Sequence, residues 1–406
     1  MPLLRYGPAA RVCLEMAEGL APAECGTPRG QPLRDLSAAV AWAMEEPLDY
    51  PPLRLSTTPG DRVVLALDHG IPHAAQVVAA VIGALTAAGV SPDGIAVLRT
   101  QADVPRGNPC RLLDGPTAAA VTLATHDPAD RGAMAYLAAT ERGEAVFLHR
   151  ALQEADLVLP IGCVQPAATA GYFGIHGGVF PAFSDQSTLA RFRNLNCLDP
   201  ASARHRHLTA EADEVAWLLG VNFTVQLVPA SGSGVMHVVA GQTAAVARRT
   251  RELYDAAWSG PVERRASLVV AAIEGDASQQ TWENLGRALS AALRLVEDGG
   301  DVAVCCDLEA EPGPAVQQMA GEGSRPAALR KIAQQRPPDA LPAAELARAL
   351  DRGRVFLVSR LDPSLLEDLG AIPVVEDELQ RLARRHRSCI LLSNAPRAVV
   401  AVLDEA

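Results

Sequence analysis

The chain has 406 residues, of which 49% are hydrophobic, and a formal net charge of −11. That length accommodates two ordinary α/β domains, and the acidic balance argues against a nucleic-acid partner or an anionic membrane surface, since either would favour a basic face. No apolar run is long enough to span a membrane, the N-terminus lacks the order of a secretory signal, and the eight cysteines have no CxxC spacing.

Buried free thiols in a reducing cytoplasm are therefore expected. Residues 1–60 are Pro-rich and weakly periodic, with one helix expected from Leu36 to Glu45. The first clear strand, Arg62 to Leu67, ends in Asp68-His69-Gly70-Ile71-Pro72-His73. Pro72 suits a first helical turn, so Ala74 to Ala88 read as a helix, and a strand follows from Ile95 to Leu98. This βαβ unit leaves its polar residues at the carboxyl end of a strand, where open α/β sheets place ligands.

A second unit runs through Val121 to His126, an Ala-rich stretch read as helical, and strands at Glu144 to Leu148 and Asp156 to Pro160. Residues 191 to 218 turn polar and helical. A hairpin is expected from Phe223–Val228 to Val235–Val239, then a helix from Thr243 to Ala257, and Trp258 to Ala266 read as a linker. The second half opens with a strand at Leu268 to Ile273 and a helix at Thr281 to Glu297. A Gly299-Gly300 turn and a strand at Asp301 to Cys306 follow. After an irregular connection from Glu309 to Pro342, elements are expected at Val355 to Val358, Leu365 to Leu369, Asp377 to Arg385 and Ser388 to Leu392. This alternation predicts an α/β fold of two domains, 1–258 and 266–406, each with a mainly parallel sheet flanked by helices.

The central stretch is Ala155 to Asn196. Four glycines fall within eight positions in Gly171-Tyr172-Phe173-Gly174-Ile175-His176-Gly177-Gly178. Glycines there free the backbone to approach a ligand, so the loop is a candidate anion or nucleotide cradle, or else a tight structural turn. A Ser-Asp-Gln-Ser-Thr run at 184–188 and the loop histidine favour the ligand reading. His69 and His73 are four apart, but Pro72 between them leaves a shared metal-binding face unassured. Asp68 could orient a histidine, bind a ligand hydroxyl, or simply cap a helix. His126 reads as structural, and His205 and His207, beside Arg204 and Arg206, as a solvated basic face. No GxSxG elbow, Walker loop or HExxH is present.

Several of these residues, in this order, resemble the lactate racemase family. They are Tyr6-Gly7, the run Pro47 to Leu53, strand–Asp68–Pro72–helix, His126-Asp127-Pro128, the strands between Glu144 and Ile161, Pro166, Gly171-Tyr172 and Pro181. The resemblance implies two α/β domains with the active site in the cleft between them, and a nickel-pincer nucleotide that takes a hydride from a 2-hydroxy acid while histidines move the hydroxyl proton. It also shows departures. Ile71 stands where the family has arginine, Asp103 and Ala167 near its two catalytic histidines, Gly177 at the lysine that tethers the cofactor, and Arg193 near the nickel-ligating histidine. On the first long helix of the second half, Asn284 and Arg287 stand for a glutamine and a lysine that reach the cleft.

The resulting candidates are His176, His69, Asp68 and Asp103 for catalysis, and Gly174, Gly177, Gly178 and His73 for a cofactor. Tyr172, Arg193, Asn284 and Arg287 are the candidates for a small anionic substrate, and no metal ligands are assigned. A covalent cofactor is not expected, and the nickel-pincer nucleotide rests on the resemblance alone. Two functions follow: an isomerase acting on a small hydroxy acid or sugar acid, or a non-racemising descendant that binds a nucleotide or organic anion without nickel chemistry. The sequence does not set the oligomeric state.

Overall fold

A computed structural model describes residues 2–17 and 20–403. Two six-stranded sheets carry the molecule. The first has the order Val235–Gln242, Phe223–Pro229, Leu157–Cys163, Val63–Leu67, Ile95–Thr100, Thr122–His126. Its neighbours are parallel except for the edge hairpin of Phe223–Pro229 with Val235–Gln242. Val63–Leu67 is buried at every position, as a central parallel strand covered by helices on both faces should be. The second sheet, Ile372–Pro373, Val355–Val358, Val296–Cys305, Ala266–Ala272, Cys389–Leu392, Ala23–Cys25, is parallel throughout.

The α/β architecture expected from the alternation is present, with local corrections. Ala23–Cys25 forms an edge of the second sheet, and the Leu3–Tyr6 and Ala10–Cys13 hairpin buries Leu4, Tyr6 and Val12 against the face that carries Leu268 and Val270. Leu3–Tyr6, Ala10–Cys13 and Ala23–Cys25 thus lie with the second sheet, although they precede the first in sequence. The supposed linker contains a strand, Ser259–Val262, paired in parallel with Val399–Val402. The Ala-rich stretch expected as helix is a strand, Met134–Ala139, antiparallel to Ala145–His149. Gly143, at φ +80°, turns this hairpin, and Tyr136 meets Phe147 across it with ring centroids 5.6 Å apart.

The helix expected to reach Glu297 stops at Leu293. Gly299 and Gly300 lie inside the strand Val296–Cys305 instead of turning into it. A methyl group on Gly300 would come within 2.9 Å of the Ser267 carbonyl, so the glycine lets neighbouring strands pass closely. The irregular connection contains two helices, Pro314–Gly321 and Arg325–Gln335, each with proline in its first turn. Helix Ala340–Arg352 then packs on Trp282–Leu293, where a side chain on Gly286 would strike Pro342.

Candidate functional site

Val63–Leu67 and Leu157–Cys163 are neighbouring parallel strands, so Asp68 and the chain after Cys163 leave the sheet at one edge. The Asp68 amide donates to the Ile161 carbonyl at 2.9 Å. Its carboxylate Oδ1 accepts from the His69 amide at 2.7 Å, which satisfies its own turn and not a helix. The helix Ala74–Ala87 begins later, after His73 in a left-handed conformation at φ 52°. Burial raises the Asp68 carboxyl, with the Asp103 charge adding to it, while the His69 amide, the His69 ring and Arg287 oppose; the result is a carboxyl pushed up to about 6.

The His69 ring Nδ1 lies 3.1 Å from Asp103 Oδ1. Asp103 is buried and also accepts from the Gly70 amide at 3.1 Å and the Thr100 hydroxyl at 3.0 Å. Burial alone would lower His69 and raise Asp103. Their mutual attraction outweighs it, holding the imidazole above and the carboxyl below their ordinary values. The pair lies at ion-pair distance but without hydrogen-bond geometry, so Asp103 acts on the His69 ring through its charge.

The second half brings up the helix Trp282–Leu293, capped by Thr281. Asn284 and Arg287 share a face, three residues apart. Arg287 donates from Nη1 to Asn284 Oδ1 at 3.2 Å, and Asn284 donates to the Gln279 carbonyl at 2.8 Å. Desolvation lowers the Arg287 guanidinium, while Glu283 and Asp68 oppose that shift. Three spaces lie between the halves. A narrow chamber of about 40 Å³ is walled by His69, Cys163, Asn284, Arg287 and Arg397, among others. A cavity of about 810 Å³ holds Asp68, His69, His73 and Asp103, and one of about 600 Å³ holds Arg287, Arg294, Gly171 and Leu341. Glu283 borders all three.

Ties across the chamber hold the halves together. Arg106 donates to the Ser278 carbonyl at 2.8 Å, and the Gly232 amide donates to Asn394 Oδ1 at 3.0 Å. Arg397 donates to the Ala230 carbonyl and to Gln279 Oε1, while its own carbonyl accepts from the Tyr254 hydroxyl at 2.7 Å. Burial raises the Cys163 thiol to about 11, with Arg397 and Arg287 pulling the other way. It also raises the Tyr172 phenol, with the Asp68 charge nearby.

Other candidates are placed elsewhere. His176 binds Asp213 through Nδ1 at 2.7 Å and lines none of the three spaces, so it does not meet His69 there. The loop is wound into turns: the Gly177 amide donates to Gly174, and those of Val179 and Phe180 donate to His176. These amides do not converge on an outside anion. A side chain on Gly178 would lie 2.9 Å from Asp68 Cβ, so this glycine is needed for close approach to the sheet edge. The Ser184–Thr188 run serves the fold: Asp185 caps Gln186–Phe192, and Ser184 donates to the Pro181 carbonyl. Arg193 is desolvated near Asp339. His126 Nε2 lies 2.9 Å from the Ser184 carbonyl, a structural role as expected. His205 is buried and stacked on Phe173, not solvated.

Arg397, Cys163 and Gln279 were missed. Cys163 ends a strand and Arg397 comes four residues after Ser393, which follows the strand Cys389–Leu392. The rule that selected Asp68 would have reached them.

Residues 21–205 match the family model for the lactate racemase N-terminal domain. This stretch, a little under half of the chain, is similar to the N-terminal domain of lactate racemases. The structure is similar over 98% of the chain to that of the lactate racemase apoprotein from Thermoanaerobacterium thermosaccharolyticum, with a TM-score of 0.76, 16% identity and 99% of that chain covered. A crystal structure of a protein from Thermotoga maritima is similar with a TM-score of 0.68 at 11% identity, over 92% of this chain and 100% of that one. These likenesses at low identity show a shared fold. No curated protein matches the chain.

The nickel-pincer nucleotide of lactate racemases is tethered through a lysine. This chain has one lysine, Lys331, which lies on the helix Arg325–Gln335 and pairs with Glu322. Gly177 has no amine to offer, and Arg193 is a poor metal ligand. Among the described residues, no three His, Cys, Asp or Glu side chains cluster as a metal site requires. The residues present do not fit a lysine-tethered nickel cofactor.

Proposed function

We propose that this lactate-racemase-like protein binds a small hydroxy acid or sugar acid between its two halves, with the carboxylate on Arg287 and the hydroxyl toward His69. The observation that carries the reading is the narrow chamber, which brings His69 from the first sheet within one wall of Asn284 and Arg287 from the second half. Arginine presents a planar fork of donors suited to a carboxylate, and Asn284 steadies it from one side. The Asp103 charge beside His69 favours the protonated ring, which suits His69 to take the hydroxyl proton. Asp68 adds a polar edge in the adjoining larger cavity. Isomerase chemistry comes with the family.

A second reading, an anion-binding descendant without nickel chemistry, is favoured by the single remote lysine. Calorimetry on the full chain with lactate tests the shared element. Arg287→Ala weakens binding by about 1.5–3 kcal/mol, the usual worth of a hydrogen bond to a charged group. Unchanged affinity with an intact fold removes Arg287 from the site. Intact mass and metal content separate the two readings: protein from its native host has the mass of the sequence and no stoichiometric nickel. A mass increment with one nickel per chain would restore the tethered cofactor.

A further inference from the structure

The cavity behind Arg287 has a volume of about 600 Å³. A three-carbon hydroxy acid displaces only a few waters' worth of space, on the order of 100 Å³ at roughly 30 Å³ each. The chamber, at about 40 Å³, is too small to enclose such an acid, so a ligand held by Arg287 also uses the cavity beyond, which has room for more than a three-carbon acid.

One wall of it is the helix that carries Arg287. Arg287, Ser290, Ala291 and Arg294 all border the space, at helical intervals of three, four and seven that keep them on one face. Arg287 and Arg294 are seven residues apart, or about 10 Å along the axis at roughly 1.5 Å per residue. Each guanidinium carries five N–H donors. Among the described residues, Arg287 donates one hydrogen bond, to Asn284, and Arg294 one, to the Ala168 carbonyl at 3.3 Å. The surface between and opposite them is apolar, with Ala291, Leu341, Pro342 and Val400.

Three carboxylates also border the cavity, none of them, among the described residues, in an ion pair with Arg287 or Arg294. Glu345 is 2% exposed and no protein group donates a well-formed hydrogen bond to either of its oxygens. It faces Arg348 at 3.5 Å, and burial raises its carboxyl while Arg348, Ser290 and Arg294 oppose that shift. Asp255 is matched by Arg251 one turn away at 3.9 Å. Glu283 borders this cavity as well as the chamber and the larger cavity, and it is the nearest acidic influence on Arg287.

We infer that this cavity is a binding site for an elongated dianion, with one anionic group on Arg287, the other on Arg294, and an apolar chain lying on the alanine and proline surface between them. An α,ω-dicarboxylate of roughly six to eight carbons spans the 10 Å set by the helix. The inference rests on the reading that Arg287 holds an anion, and it extends the ligand class from short hydroxy acids to long ones with a second acidic end.

Calorimetry with lactate, succinate, adipate and suberate on the full chain tests it. Affinity rises along the series to suberate. Arg294→Ala removes that gain, weakening suberate by about tenfold, as loss of a hydrogen bond to a charged group implies, and leaves lactate unchanged. Ala291→Leu, which narrows the space between the two guanidiniums without touching a charge, weakens suberate and spares lactate in the same way. Suberate binding no tighter than succinate, or binding that neither variant affects, overturns the inference while Arg287-dependent lactate binding leaves the earlier reading standing. Failure of lactate and suberate alike overturns both.

Discussion

Two acidic positions, one buried in the second sheet and one half-buried at the edge of the first, were completed in opposite ways. Asp301, on the strand Val296–Cys305, receives Arg354 through two hydrogen bonds at 3.0 and 2.6 Å and lies 3.1 Å from His386 Nε2. His386 in turn meets the Ser267 hydroxyl, which bonds back to Ser388 on the next strand. Among the described residues, the carboxylate of Asp68, at the carboxyl end of Val63–Leu67, accepts one hydrogen bond, from the amide of the next residue. A buried carboxylate saturated with partners ties strands together. One left nearly bare is a liability to the fold that makes sense where a ligand supplies the missing donors. The bare one is also the one beside His69, Asp103 and the chamber.

Mutations at the two positions should therefore move stability in opposite directions. Asp301→Ala removes the buried acceptor shared by Arg354 and His386 and should cost about 1–3 kcal/mol by urea unfolding, as loss of hydrogen bonds to a buried charged group does. A loss well under 1 kcal/mol would mean the exposed Arg354 side of the network contributes little, and the contrast would weaken.

Asp68→Asn should do the reverse. Its carboxyl is raised to about 6 in the folded chain from an ordinary value of 3.8. The folded state therefore binds its proton more tightly than the unfolded chain does, and stability is lost as pH rises from about 4 to 6. Asparagine cannot ionise, so the variant should be more stable at pH 7 by about 1–2 kcal/mol, and the gain should close toward pH 4. A variant less stable at pH 7 would show that the ionised Asp68 is held by the fold after all.

The smallest effect is expected between these extremes, at Asp103. His69 is held above its ordinary value by this carboxylate, so the pair contributes fully at pH below that ordinary value and is lost as pH rises through the raised one. Asp103→Asn keeps the bonds from Gly70 and Thr100 within reach. It should cost about 1 kcal/mol at pH 6 and less on the alkaline side. The His69 ring, followed by NMR titration, should fall to a lower pKa. An unmoved titration would detach His69 from Asp103.

Much of this was legible before any coordinates. Val63–Leu67 and Leu157–Cys163 show as uninterrupted apolar runs because strands buried on both faces need apolar side chains on both. Their ends then direct attention to Asp68 and to the loop that follows. Asn284 and Arg287 were legible because a helix keeps residues three apart on one face whatever packs against it. The Met134–Ala139 strand was not, since alanines suit a helix locally and only the pairing with Ala145–His149 decides otherwise.

The central loop misled for a related reason. Four glycines permit a cradle and a tight turn equally, and its amides were used internally, with Gly178 pressed against Asp68. His176 looked well placed by its neighbours in sequence, but Asp213, on a helix 37 residues later, claimed it.

Periodicity, turn residues and strand ends are local properties, and they determined the α/β architecture and the edge at which polar residues gather. Which of those residues share a wall depended on contacts between segments far apart in the chain: Ala23–Cys25 beside Cys389–Leu392, Arg397 beside Ala230, and His69 across from Arg287. Such contacts follow from how two sheets dock, and docking is set by the summed burial of surfaces to which no short stretch of sequence contributes more than a part.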